Sequence, residues 1–106
     1  MASEKVSFTL PFQGTRVHSD ERGFLNSEAM RQPGAYGRVT SAYVKLHPRM
    51  GHWQVTAPDG SAGSLNPAIH RVIEHDDGTI TVTPSIDYSM APWFGFHGWL
   101  TKGVFT

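Results

Sequence analysis

The chain has 106 residues, nine Lys and Arg against nine Asp and Glu, and no cysteine. We assign residues 1–106 to a single β domain, because a chain of this length builds one hydrophobic core. Formal neutrality removes the long-range attraction to phosphate groups, so we expect neither nucleic acid nor a membrane as a partner. The lack of cysteine excludes disulfides, thiolate metal ligands and a thiol nucleophile.

The first segment with a clear pattern is residues 6–12, where apolar side chains alternate with small polar ones. This alternation predicts a strand with one buried face. Pro11 has no N–H for a sheet hydrogen bond, which places the strand at a sheet edge, available for pairing with another subunit. Residues 1–20 contain no long apolar run, so we expect neither a signal peptide nor a transmembrane segment.

Residues 13–37 lose this periodicity and are interrupted by glycine and proline. We predict one long loop here, with at most a single helical turn over residues 28–31 that Asn26 or Ser27 would cap. Loops of this length in a small domain usually serve function or make contacts.

Two β-rich segments follow, at residues 39–46 and 52–57. The first is rich in strand-forming side chains, and the second alternates so that Trp53, Val55 and Ala57 share one face. Pro58-Asp59-Gly60 predicts a tight turn after the second strand, and we predict a loop for residues 61–64.

The strongest local signal is the Asp77-Gly78 pair between two β-rich runs, residues 69–76 and 79–86. This pair is preferred in two-residue type I′ hairpin turns. A turn centred there places Ile73 opposite Val82 in the core, and it leaves Val72 and Glu74 on a polar face.

The C-terminal part is aromatic, and Lys102-Gly103 predicts a last hairpin that pairs Leu100 with Phe105. Counting these segments, we predict six or seven strands and no substantial helix. The predicted fold is therefore all-β, either an antiparallel β-sandwich or a small barrel with one long loop.

No set of residues predicts catalysis or metal binding. His70 and His75 leave opposite faces of one predicted strand, and the chain has no His-x-His or His-Glu-x-x-His pattern. It also has no Gly-x-Ser-x-Gly nucleophile motif, and the turn explains Asp76 and Asp77. We expect no enzymatic activity, no cofactor and no bound metal.

Aromatic side chains are the main candidates for a ligand or interface role: Trp53, Trp93, Phe94, Phe96, His97 and Trp99. Flat indole rings on a β-sandwich can stack on sugars, but the same rings can also fill a core or a subunit interface. Gly95 and Gly98, which lie between the rings, favour close backbone packing. We therefore favour core or interface over a ligand platform.

One family resemblance rests on residues 81–86 and 94–105. The sequences Pro84-Ser85-Ile86 and His97-Gly98-Trp99-Leu100-Thr101-Lys102-Gly103 resemble the C-terminal signature of a family of small uncharacterised phage and prophage proteins. The resemblance covers about a third of the chain, from about residue 70 to residue 105. It implies a phage context and a β fold.

Many relatives of this kind carry cysteines, including one just before the His-Gly-Trp motif, which implies a zinc site in them. Phe94 occupies that position here, although His97 matches. The departure removes the thiolate and weakens any metal site carried over from the family.

These observations lead us to expect a non-enzymatic phage-type structural or assembly protein that works through protein–protein contacts. It would be an oligomer or part of an assembly, binding copies of itself or a larger phage structural protein, in the virion or the host cytoplasm. Two alternatives are a carbohydrate or small-ligand binding module that uses its tryptophans, and an inhibitor of a host protein.

Overall fold

The computed structural model describes residues 8–42, 46, 51–87 and 95–106. In chain order, the elements are β1 (Phe12–Gln13), β2 (Thr15–Val17), α1 (Ser27–Met30), β3 (Ala35–Arg38), β4 (Trp53–Thr56), β5 (Ala62–Ser64), β6 (Arg71–Glu74), β7 (Ile80–Asp87), β8 (His97–Thr101) and β9 (Val104–Phe105). The first sheet has the strand order β1-β9-β8-β7-β6, and the second has the order β2-β3-β4-β5.

The prediction of an all-β sandwich is confirmed. Across the described ranges neither sheet closes into a barrel, and there are nine short strands where we predicted six or seven. The pair β2–β3 is parallel, unlike the other pairs of both sheets, because the chain passes through α1 between these two strands.

The core lies between the sheets and is built from their inward-facing side chains. The first sheet contributes Ile80, Val82, Ile86, Leu100 and Phe105, and the second contributes Tyr36 and Val55. Burying each large side chain contributes about 1.5–3 kcal/mol to the free energy of folding. Burial also raises the pKa of the Tyr36 hydroxyl, since the phenolate would be poorly solvated there.

The N-terminal half differs from the prediction in two places. Residues 8–11 are not in a strand, and only Phe12–Gln13 pairs, at the sheet edge that Pro11 indicated. The predicted long loop at residues 13–37 is wrong where β2 and most of β3 form within it. Gly37 lets β3 approach β2 closely. A Cβ at this position would lie 2.6 Å from the Val17 carbonyl oxygen, so a larger residue would not fit.

The predicted helical turn is confirmed as α1. The Asn26 side chain accepts a hydrogen bond from the Ala29 N–H at 2.9 Å, which satisfies one of the free donors at the helix start. The turn packs its Met30 side chain inward, and the Met30 carbonyl accepts a hydrogen bond from the Thr56 hydroxyl. A helix this short therefore depends on its contact with β4.

The middle of the chain follows the prediction only in part. Residues 39–42 are outside any strand, although the sequence there favours β structure, whereas β4 and the turn after it are confirmed. In that turn, the Gly60 N–H donates to the Ala57 carbonyl, and the φ of Gly60 is +93°. Residues 62–64, predicted as loop, form the edge strand β5, whose small side chains gave no periodic signal.

The β6–β7 hairpin is present, but its predicted register is wrong by one residue. Its loop has three residues, 76–78, of which only Gly78 has a positive φ. The Asp77 carboxylate accepts hydrogen bonds from the hydroxyl and N–H of Thr79, which also hold the pKa of Asp77 below its ordinary value. Val72 consequently pairs with Val82 on the inward face, and Ile73 pairs with Thr81 on the outward face.

The C-terminal hairpin is confirmed, with Leu100 paired to Phe105. Lys102 and Gly103 have φ values of +48° and +77°, as a two-residue type I′ turn requires. This turn holds β9 against β8, so that Leu100 and Phe105 are both fully buried.

The observed hairpin register predicts that two isoleucines in it differ strongly in their contribution to stability. Ile80→Ala should lower the free energy of unfolding by about 2–5 kcal/mol, because Ile80 is fully buried and the change leaves a cavity. Ile73→Ala, at a residue 48% exposed, should cost less than about 1 kcal/mol. Chemical denaturation measures both, and equal costs would mean that the faces of β6 are assigned incorrectly.

Candidate functional site

The structure separates the candidate aromatic residues into different environments. Phe96 is buried in the core and packs edge-on against Phe105. His97 and Trp99 lie exposed on β8 in the first sheet, and Trp53 is half-buried on β4 in the second sheet. Trp93 and Phe94 fall outside the described residues. The described aromatic residues therefore do not form one cluster.

Trp99 is the large aromatic side chain most exposed on the first sheet, at 54%. Burial alternates along β8, so that Gly98 and Leu100 face the core while His97, Trp99 and Thr101 face solvent. The His97 and Trp99 rings are stacked, with centroids 6.0 Å apart and planes 23° from parallel. We call this solvent-facing side of the first sheet, which also carries Ile73, the outer face.

A serine–histidine contact lies beside Trp99 on the outer face. The Ser85 Oγ is 3.0 Å from the Nε2 of His97, and Asp87 lies opposite His97 in the β7–β8 pairing. Serine and histidine in contact are part of what nucleophilic catalysis requires. The contact is exposed, and neither of the two clefts described below includes Ser85 or His97. We therefore interpret the Ser85–His97 pair as polar groups that surround Trp99, and not as a catalytic centre.

Trp53 lies in a different setting, beneath two arginine side chains. The guanidinium carbon of Arg16 is 5.0 Å from the centroid of the Trp53 ring, and that of Arg38 is 6.0 Å away. Both arginines come from strands of the second sheet, β2 and β3, and Trp53 pairs directly with Arg38. Cation–π contact of this kind contributes about 0.5–2 kcal/mol, depending on how far the cation is desolvated.

Arg16 also ties the second sheet to the first. Its Nη1 donates to Glu74 at 2.9 Å and to the carbonyl of Gly78 at 2.7 Å, so it holds the end of β6 and the hairpin loop. Glu74 reaches Arg16 because the observed register places it opposite Ile80, on the inward side of the ribbon. We call Arg16, Arg38, Trp53 and Glu74 the arginine cluster.

The charges of the arginine cluster do not balance. Glu74 is its one carboxylate, and its distance to Arg38 is 3.9 Å, beyond hydrogen-bond length. Two guanidinium groups thus share one carboxylate, which leaves a net positive charge on the side of Arg38. Among the described residues, the buried Nε of Arg16 has no hydrogen-bond partner.

A cleft of about 280 Å³ opens beside the arginine cluster, between β6 and the second sheet. Its walls combine apolar and basic side chains: Arg38, His52, Trp53, Leu65, Pro67, His70 and Val72. The Nε2 of His70 donates to the Ser85 carbonyl at 3.2 Å, which fixes the ring. No sequence pattern indicated this cleft, because its residues come together only through the packing of the sheets.

A second groove, of about 550 Å³, runs between α1 and the outward side of β4 and β5. Small and polar side chains make up much of its lining, with Met30 and Leu25 at one side and Arg31 as its charged residue. This groove is larger than the cleft beside Trp53, and no aromatic side chain of the described residues lines it.

The described residues contain no group of three or more His, Asp or Glu side chains arranged to hold a metal ion. Nor does this part of the chain have a helix with the length and apolar character needed to cross a membrane. No protein-family model, curated protein or solved structure matches the chain significantly. The site is therefore interpreted from its own geometry.

The position of Arg16 predicts a larger stabilising role than that of its exposed ion-pair partner. Arg16→Met, which keeps an apolar stem, should cost about 1–3 kcal/mol by removing two hydrogen bonds and the contact with Trp53. Glu74→Gln should cost less than about 1 kcal/mol, because Glu74 is 41% exposed and its ion pair is screened by solvent. Thermal or chemical denaturation gives both values, with Arg22→Met as an exposed-arginine control. Equal losses for Arg16→Met and Glu74→Gln would assign the stabilisation to the ion pair instead.

Proposed function

We propose that this protein is a non-enzymatic phage-type structural or assembly protein whose outer face binds other protein subunits. The partner is a second copy of the chain or a larger phage structural protein, and the site of action is the virion or the host cytoplasm. The phage context rests on the resemblance of residues 84–86 and 97–103 to the phage and prophage signature.

The observation that carries the proposal is the exposure of Trp99 on a regular sheet face. Tryptophan is enriched among the residues that dominate the energy of protein interfaces, and Trp99 is 54% exposed. Ile73, on the edge strand β6, extends the same face with a second exposed apolar side chain. Threonine side chains at 83 and 101 keep the rest of the face polar, as in the rim of an interface.

Light scattering coupled to size exclusion tests the proposal on the purified chain. We expect the wild type to assemble beyond a monomer, and Trp99→Thr to weaken assembly because it removes the central apolar contact. Phe24→Ser is the matched control, since Phe24 is 51% exposed but lies outside both sheets.

Purified particles of the encoding phage or prophage provide the second arm of the test. The protein should be present in them, or bound to an assembly intermediate, and the Trp99→Thr variant should be depleted. A strictly monomeric chain that is absent from particles would contradict the proposal.

A carbohydrate-binding module is the second candidate, and the stacked His97–Trp99 pair favours it. A flat, exposed aromatic pair beside the hydroxyl of Ser85 offers both stacking and hydrogen bonding to a sugar ring. Trp53 does not share this surface, since it belongs to the second sheet and lies under Arg16.

Glycan binding makes a distinct prediction. On a glycan array, wild type and Trp53→Phe should bind the same sugars, and Trp99→Thr should bind none, because Trp99 is on the outer face and Trp53 is not. Binding lost through Trp53→Phe and retained by Trp99→Thr would refute this placement. Specific capture of one host protein by the wild type, with neither assembly nor sugar binding, would favour the host-inhibitor alternative.

A further inference from the structure

We propose that the cleft beside Trp53 binds a small organic carboxylate with a flat apolar body. This site is separate from the outer face, so it does not depend on the proposed function. The proposal rests on three properties of the cleft: its charge, its walls and its size.

The charge of the cleft favours an anion. Arg38 lines it, and the ion pair of Arg38 with Glu74 spans 3.9 Å, so its guanidinium keeps hydrogen-bonding capacity. His52 adds a second nitrogen donor or acceptor, and the lining includes no Asp or Glu. The one hydrogen bond between Glu74 and the two arginines of the arginine cluster goes to Arg16, at 2.9 Å, which leaves Arg38 as the cation that a ligand would meet. A planar guanidinium binds a carboxylate through two parallel hydrogen bonds.

The walls of the cleft favour an apolar body attached to that anion. Trp53, Leu65 and Val72 line the same space, and Trp53 and Val72 are only partly buried. An indole ring offers a flat surface for an aromatic or other planar group. An anion without such a body, like inorganic phosphate, would leave these walls without a partner.

The size of the cleft limits the ligand. Its volume of about 280 Å³ lies just below the range of about 300–1,000 Å³ typical of sites for drug-sized molecules. The cleft is bounded by strands of both sheets, and the His70 ring is held in place through Ser85. A cleft of this size accommodates a compact carboxylate and not a larger ligand.

Benzoate is a suitable probe, with benzamide as its neutral match and inorganic phosphate as an anion without an apolar body. Titrations followed by two-dimensional amide NMR should give a dissociation constant of about 1 mM or tighter for benzoate. The shifted resonances should include the Trp53 indole N–H and the His52 backbone. Benzamide and phosphate should each bind at least about tenfold more weakly.

Arg38→Gln should weaken benzoate binding at least about tenfold, while Arg31→Gln should leave it unchanged. Arg31 is a matched control because it is an exposed arginine that lines the other groove. The melting curve and amide spectrum of Arg38→Gln show whether the variant is folded. Benzoate binding is also measured for Arg38→Lys, which keeps the positive charge but loses the planar guanidinium. Its binding should fall between those of the wild type and Arg38→Gln.

Three results would overturn the proposal. They are no binding of benzoate at several millimolar, equal binding of benzamide or phosphate, and shifts that map away from Trp53. Loss of assembly through Trp99→Thr with benzoate binding intact would separate this site from the outer face.

Discussion

The hydrogen bonds that Asp77 accepts from Thr79 set the register on which much of the rest depends. They brace a three-residue loop that backbone hydrogen bonds from His75 to Thr79 and from Gly78 to His75 close, with Gly78 as its left-handed residue. The side chains of β6 consequently face opposite to the arrangement that a two-residue turn would give. Val72 then reaches the core, and Glu74 faces the second sheet.

The join between the two sheets follows from that register. Glu74 and the Gly78 carbonyl meet Arg16, which in turn lies over Trp53. The Arg16 guanidinium thus connects the hairpin loop to the second sheet where the apolar core ends. Because the same carboxylate is 3.9 Å from Arg38 and is not hydrogen-bonded to it, the join leaves a basic group with free donors beside an apolar cleft. The Arg16–Glu74 contact that joins the sheets is therefore also the reason that Arg38 remains available in the proposed binding cleft.

The outer face depends on a different constraint, the alternation of β8. Gly98 must be small, since a Cβ there would lie 2.4 Å from the carbonyl oxygen of Thr106. Leu100 is drawn into the core next to Phe105. With these two residues inward, His97 and Trp99 must point outward, whatever they bind. The proposed assembly role and the cleft therefore occupy separate parts of the molecule and can be tested separately.

Local sequence determined those features that depend on neighbouring residues alone. The alternation of residues 52–57, the Lys102-Gly103 turn and the cap at Asn26 each predicted the structure that forms, because backbone angles and short hydrogen bonds decide them. The all-β class followed from the sum of such signals.

Tertiary packing decided the rest. Strands β3 and β5 contain glycine or other small residues with weak intrinsic strand preference, and β2 has only three residues. All three therefore depend on pairing with a neighbouring strand. The outward position of Ile73 is an exception, because bonds within one turn decide it locally and the two-residue turn predicted from Asp77-Gly78 was the wrong turn type. The arginine cluster was not predictable either, because β2, β3, β4 and β6 supply its four members, and only the packing of two sheets brings their charges together.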